Sequence, residues 1–420
     1  MSIANEDGGT DAGATKDSST RSDGAPVTPP IRLAAGSATA CALLAIGAVR
    51  CWGNNFSGQH GIGTHDGDRH PTPSPPVTGL VAEDLDSSGP HTCARAGNAI
   101  TCWGSNTGNQ LGHPRSVEEA QGDAGLCSGQ PCARSPVTIP SSTGAKGIAT
   151  GQGFSCAVIN GSPSCWGTAS RGALGLVDGG RVSATPSPLA FGDAVEIKSG
   201  SVFSCARKGV DGTVWCWGEY DYGDIGRAAD AGAAAPGWDT QDHPIPRQVE
   251  GLVRVRSLGA GHYHACAILA DKTVSCWGFN PTGQLGHDPG TDRTCGGASP
   301  SPCNDVPTKV PGLAGARKLA LGYYHSCALL ENDTVVCWGS NELGRLGHDP
   351  SLDDAGSRNV VVTPKPVMGL SNVADVAAGY SYTCASTWDR KVYCWGADSF
   401  GEAGSLDGGS SFVPVQVKGL

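Results

Sequence analysis

The chain has 420 residues, of which 63 are Gly and 28 are Pro; 16% are charged and the net charge is −10. Such a Gly and Pro load excludes a helix-built protein. No Lys/Arg run or stripe is present to neutralise phosphates, so no nucleic acid is expected as a partner, and no apolar stretch of about 18 residues occurs, so no transmembrane segment is expected.

In chain order, residues 1–30 hold Gly, Ala, Ser, Thr and Asp with almost nothing to bury and read as a disordered tether. The opening Met1-Ser-Ile-Ala-Asn-Glu-Asp7 has neither the basic start nor the apolar stretch of a secretory signal. Order is expected over 31–420, where one unit returns seven times. It reads Ala-Gly, four residues, Cys-Ala, a turn, Val-x-Cys-Trp-Gly, then Gly-x-Leu-Gly, most plainly at Ala260–Cys266, Val274–Gly278 and Gly283–Gly286. The seven anchor tryptophans are Trp52, Trp103, Trp166, Trp217, Trp277, Trp338 and Trp395. A repeat of this period decides the fold before any single residue does.

Each Cys-Trp-Gly has an upstream partner cysteine. Cys156 and Cys165 flank Asn160-Gly161, and Cys93 and Cys102 flank Gly97-Asn98. Two-residue loops of this kind are hairpin turns. Counting outward from the turn sets the cysteines opposite each other, at a separation a disulfide tolerates. Cys41 with Cys51, Cys205 with Cys216, Cys266 with Cys276, Cys327 with Cys337 and Cys384 with Cys394 fit three- and four-residue loops in the same way. Two insertions, after the Gly-x-Leu-Gly turns of units two and five, carry Cys127 with Cys132 and Cys295 with Cys303. Each pair is expected to close its own loop, as a staple rather than a recognition loop. Zinc favours shorter clusters. Nine disulfides imply an oxidising compartment, so the chain is expected to be extracellular or tethered to a cell surface, with an export signal or lipid anchor lying upstream of Met1.

A further strand precedes each Ala-Gly: Pro246–Leu252, Pro307–Leu313 and Pro364–Leu370. The first unit lacks its beginning, and the chain ends on that beginning, Pro414–Leu420. The expectation is an all-β, seven-bladed β-propeller of four-stranded blades, its ring closed by the C-terminal strand pairing into the first blade.

The segments Ala-Gly-x-x-His-x-Cys-Ala-Leu, Val-x-Cys-Trp-Gly-x-Asn and Gly-Gln-Leu-Gly resemble the repeat of the RCC1-like (regulator of chromosome condensation) propellers over about 31–420. The resemblance implies a binding scaffold. Family members usually carry apolar residues where this chain has cysteine pairs, which implies a version adapted to secretion, as in bacterial extracellular members, some of them inhibitors of secreted enzymes. The family's founder implies an alternative, guanine-nucleotide exchange on a small GTPase, although the motifs that carry the resemblance are those of the scaffold and do not locate its exchange residues on this chain. A third reading is an extracellular propeller enzyme such as a lyase or hydrolase. No catalytic motif, cofactor site or metal-ligand cluster is found, so the chain is read as a non-enzyme, monomeric and without cofactor. The acidic loops of Asp66 and Asp68, and of Asp349, Asp353 and Asp354, match no calcium loop and read as solvated.

The site is expected where the repeat is broken. Between Ala-Gly and Cys, units one, three and four carry Ser37-Ala-Thr39, Gln152-Gly-Phe154 and Ser201-Val-Phe203; units five to seven carry His262-Tyr-His264, Tyr323-Tyr-His325 and Tyr380-Ser-Tyr382. The residue two before each Cys is aromatic or His in six of seven units and reads as packing. His262, Tyr263, Tyr323, Tyr324 and Tyr380 remain as candidates for binding a protein or surface polymer through one face, since Tyr pairs a large rigid contact area with a polar tip.

Overall fold

A computed structural model describes residues 29–113, 126–169, 171–176, 180–226, 242–296, 300–352 and 359–420. The expected tether, apart from its last two residues, lies outside these, as do Asp353 and Asp354.

Seven antiparallel sheets follow one another along the chain. Blade 5 shows the plan: an inner strand Val255–Ala260, then His264–Leu269, Val274–Phe279 and an outer strand Ser301–Lys309. The inner strands of blades 1 to 7 begin at Arg32, Asp84, Ala145, Ala194, Val255, Ala316 and Val373. Each touches the next, and the seventh touches the first, so the blades form a ring around a central channel.

The hairpins turn where the sequence places them. Ile159 pairs with Ser162 around Asn160 and Gly161, both at positive φ, and Ala96 pairs with Ala99. The repeat cysteines are bonded in the expected pairs. Cys41 is joined to Cys51, Cys93 to Cys102, Cys156 to Cys165 and Cys205 to Cys216. Cys266 is joined to Cys276, Cys327 to Cys337 and Cys384 to Cys394. In all seven the Cα atoms lie 4.0–4.1 Å apart, the close approach of opposed residues in an antiparallel ladder. The longer turns leave this opposition unchanged: Cys205 stands opposite Cys216, Cys266 opposite Cys276 and Cys327 opposite Cys337 in the strand register. Cys127–Cys132 and Cys295–Cys303 are also bonded, so no cysteine is free. In blades 2 and 5 the insertion adds a short fifth strand, Leu126–Cys127 or Arg293–Cys295, to the outer edge.

The Cys-Trp-Gly motif has a steric cause. Pairing to the outer strand slips between the Cys and the Gly in blades 2 to 7. A bulge of this kind sharpens the local twist, and the Gly takes φ between 93° and 121°, a region costly for any residue with a Cβ. At Gly278 a Cβ would also sit 2.6 Å from the Tyr263 carbonyl. The tryptophan swings into the joint between blades. All seven anchor tryptophans are fully buried, and each indole N–H donates to the backbone carbonyl at the second position of the preceding blade's Gly-x-Leu-Gly turn. Trp103 reaches Gln59 at 2.8 Å, Trp277 reaches Asp224 at 2.9 Å, and Trp52 of blade 1 reaches Glu402 of blade 7 at 3.0 Å. That last bond is the same latch applied across the ends of the chain.

The C-terminal strand departs from expectation. Ser411–Gln416 pairs with Val392–Gly396 of blade 7, Cys394 opposite Val415, and not with blade 1. The Pro-led segment of each repeat is divided between two blades. Its first half is the outer strand of the preceding blade, and its closing Val and Leu pack into the following joint. Val310 and Leu313 pack with Trp338; Val417 and Leu420 pack with Trp52. The tail therefore belongs to blade 7 by hydrogen bonding and to the blade 1 joint by packing. Blade 1 keeps three regular strands, and an irregular segment replaces the fourth, with the Ser74 and Val77 N–H groups donating to Cys51 and Val49.

Candidate binding face

The first turn of each blade and the loop after its third strand emerge on the same face. The turn is built alike in six of the blades. Gly261 N–H donates to His264 O, Gly322 to His325 and Gly379 to Tyr382. Adjacent turns are then bonded into a rim: Ser201 N–H to His262 O, His262 N–H to Gly322 O, Tyr323 N–H to Tyr380 O, and Tyr380 N–H to Gly36 O. The glycine is required by this approach, since a Cβ on Gly261 would lie 2.5 Å from Gly322 O.

The residue two before each Cys is scaffold, as expected. His91, His264, His325 and Tyr382 are fully buried. His264 Nε2 lies 2.8 Å from Ser326 Oγ, which donates onward to Gln284 O at 2.8 Å. The hydroxyl has one proton and spends it on the carbonyl, so the imidazole must be the donor at Nε2. The His91–Ser155–Gln110 and His325–Thr383–Arg345 chains repeat this arrangement. Each ends on the carbonyl that also receives the tryptophan indole. The Nδ1 atoms of these histidines are buried without a partner among the described residues. Burial accordingly lowers His91 and His264 to about 3 and holds His325 well below the ordinary histidine range.

The two residues before the scaffold position point the other way, and in blades 5 to 7 they converge. Tyr323 is the hub: its ring centroid lies 4.7 Å from His262, 5.6 Å from Tyr263, 4.1 Å from Tyr324 and 4.4 Å from Tyr380. His262 also meets Tyr380 edge-on at 5.0 Å. All five candidates thus form one cluster, with Tyr380 39% exposed and the others half-buried. Two members were missed. Tyr222 lies 5.7 Å from Tyr263 and 4.4 Å from Phe279, and Phe279 lies 6.0 Å from Tyr263 and 5.9 Å from Tyr324. Tyr222 stands directly before its Gly-x-Ile-Gly turn, where blades 1 and 5 carry Ser57 and Thr282. That break in the repeat was the available signal.

His262 is held by Ser201 Oγ at 2.8 Å, and burial lowers its pKa to about 4, so it is neutral at pH 7. Burial raises the Tyr263 and Tyr323 hydroxyls, which therefore stay protonated.

Behind the rim lies the channel, a cavity of about 240 Å³ that opens at Gly261, His262 and Tyr380. Its charged lining residues are Arg32, Asp84, Asp86, Lys198, Lys318 and Asp375. Asp86 accepts from Thr150 N–H at 2.7 Å, Glu196 from Leu258 N–H at 3.1 Å and Asp375 from Leu33 N–H at 2.9 Å. Each carboxylate ties one inner strand to the next, and Lys318 pairs with Asp375. Among the described residues no group of three His, Cys, Asp or Glu is placed to hold a metal. Asp66 is engaged with His70 and with Asp68 N–H, and Asp349 with Ser351 N–H.

A model of the RCC1-like domain matches residues 93–420, and one of the regulator of chromosome condensation (RCC1) repeat matches residues 31–59. The chain belongs to the RCC1-like family. It is 25% identical over 358 residues to the ultraviolet-B receptor UVR8 of Arabidopsis thaliana, covering 82% of this chain and 71% of that protein. It is 30% identical over 271 residues to protein pim1 of Schizosaccharomyces pombe, covering 62% of this chain but less than half, 48%, of pim1. The structure of yeast RCC1 (Prp20) bound to Kap60 superposes with a TM-score of 0.72 at 21% identity, over 94% of this chain and 85% of that one, a likeness of fold. These relatives are eukaryotic, and the bacterial origin implied by the cysteine pattern has no counterpart among them.

Proposed function

We propose that this RCC1-like propeller is an extracellular or surface-tethered scaffold that recognises a protein or surface polymer through its aromatic face. One observation carries the reading. His262, Tyr263, Tyr323, Tyr324 and Tyr380 occupy repeat positions that the scaffold does not need, and they meet in one partly exposed cluster at the channel mouth. Clustered, preordered aromatic side chains are the usual anchors of an interface. Yeast Prp20, of similar fold, is seen bound to another protein. The nine disulfides support the extracellular setting, because a reducing cytosol would open them. The same chemistry disfavours nucleotide exchange on an intracellular GTPase, which rests on family analogy alone.

The test is a pull-down with the intact chain immobilised, beside a variant with Tyr263, Tyr323, Tyr324 and Tyr380 changed to Ala. A partner kept by the first and lost by the second supports the face. A partner held equally by both moves the site to the opposite face or to the insertions closed by Cys127–Cys132 and Cys295–Cys303. Thiol counting on protein trapped at harvest tests the compartment: eighteen free thiols would return the chain to the cytosol.

A further inference from the structure

We propose that the aromatic face takes a basic segment of a partner protein, an arginine or lysine side chain lying across the tyrosine rings while acidic loops around them answer its charge. This rests on the reading of that face as the binding site. The rings are the first support. Tyr222, Tyr263, Tyr323, Tyr324 and Tyr380 are all at least partly exposed, and the face of a tyrosine ring attracts a cation within about 6 Å.

The loops beside the rings are the second support. Segments 219–226, 279–292, 340–352 and 397–410 follow the third strands of blades 4 to 7 and frame the cluster. Together they hold ten Asp and Glu against a single Arg. Asp288, Glu342, Asp349 and Asp407 are exposed. The one cation, Arg345, is 2% exposed and donates to Glu342. Just outside the frame, Arg293 is paired with Asp305, Arg171 with Glu219 and Asp221, and Arg69 with Asp398. The face therefore offers a basic partner exposed negative charge with no exposed cation inside the frame to repel it.

Asp224 is the third support. It lies two residues from Tyr222, is fully buried, and among the described residues neither carboxylate oxygen has a partner. Four blades place Gln or Glu at this position, and there the side-chain oxygen accepts the loop N–H two residues back, as Gln284 does from Thr282 and Glu402 from Phe400. Asp224 is a methylene shorter and makes no such bond. Burial, with Glu219 and Asp221 nearby, pushes its pKa up. His262, inside the cluster, is neutral and adds no opposing charge.

The probes are fluorescein-labelled hexa-arginine and hexa-glutamine peptides, titrated into the full chain at about 0.15 M salt and followed by anisotropy. Hexa-arginine should bind at least tenfold tighter than hexa-glutamine. Tyr323→Ala with Tyr380→Ala should weaken it about tenfold, while the paired Phe substitutions, which keep the rings, should retain it. Asp288→Asn with Glu342→Gln and Asp407→Asn should weaken it several-fold and flatten its salt dependence. Equal binding of the two peptides overturns the proposal. So does undiminished hexa-arginine binding by a folded Tyr→Ala variant, since the net charge alone would then be responsible. A pull-down partner that the Tyr→Ala variant loses, but that hexa-arginine does not displace, keeps the binding face and removes the cation. A partner indifferent to both removes the face as well.

Discussion

His262 and His264 stand two residues apart in one turn and belong to different parts of the molecule. His264 is fully buried, donates to Ser326 of the next blade, and has counterparts in His91 and His325. His262 sits at the channel mouth against Tyr323 and Tyr380, where blades 1 and 3 carry Ser37 and Gln152. What recurs around the ring holds blades together, and what varies around it faces outward. A residue type alone does not separate the two roles; its place in the repeat does.

If that division holds, the largest effects come from the recurring tryptophans. Trp52→Ala and Trp217→Ala should each cost about 3–5 kcal/mol in urea unfolding, because each removes a buried ring and an indole bond to the preceding blade. Equal costs would show that the joint between the chain ends is as strong as an internal one; a much smaller cost at Trp52 would break the equivalence. The two histidines sharpen the comparison next. His264→Ala should lower stability by about 2–3 kcal/mol, through the lost packing and the lost donor to the buried Ser326 oxygen, and leave partner binding intact once folded. His262→Ala should cost under about 1 kcal/mol and weaken binding.

Acid should act on the scaffold as a whole. His91 and His264 have folded pKa values of about 3, and His60 and His262 of about 4, all below the ordinary 6.5. Between those values and 6.5 the unfolded chain binds more protons than the folded one, so the stability they contribute is present above 6.5 and lost as pH falls. Each adds up to about 1.4 kcal/mol per pH unit. Urea midpoints at pH 7 and 4.5 should differ accordingly, and His264→Gln should reduce the difference. Glu402 works in the opposite sense. Burial raises it to about 7, so the folded state binds the extra proton between 4.5 and 7, and stability falls as pH rises through that window. Glu402→Gln, the residue used at this position by blades 1, 2 and 5, should stabilise the protein at pH 8 by about 1 kcal/mol and have no effect near pH 4.

Much of this was readable in the chain because the repeat is regular. Asn160-Gly161 and its counterparts set the hairpin register, and the register set the cysteine pairs, even where the turn lengthens as between Cys205 and Cys216. The five candidate residues were found by subtraction, since they break a pattern whose other positions are constant. Tyr222 and Phe279 escaped because they belong to the loop after the third strand, and folding alone brings that loop beside the first turn. The C-terminal strand was misplaced for a related reason: Pro414–Leu420 completes the first repeat in sequence, yet its hydrogen bonds go to the strand on the other side of the joint. The channel carboxylates Asp86 and Asp375 look like ordinary strand residues until the inner strands are set around a common axis.

The most direct measurement compares two halves of the rim. The partner recovered with the intact chain would be titrated against Tyr323→Ala with Tyr380→Ala, and against Gln152→Ala with Val202→Ala, which truncates the same turn in blades 3 and 4. If the aromatic half of the rim is the binding site, both variants keep their unfolding midpoint and only the first loses affinity, by tenfold or more. Equal loss in both, or loss in the second alone, would contradict that reading.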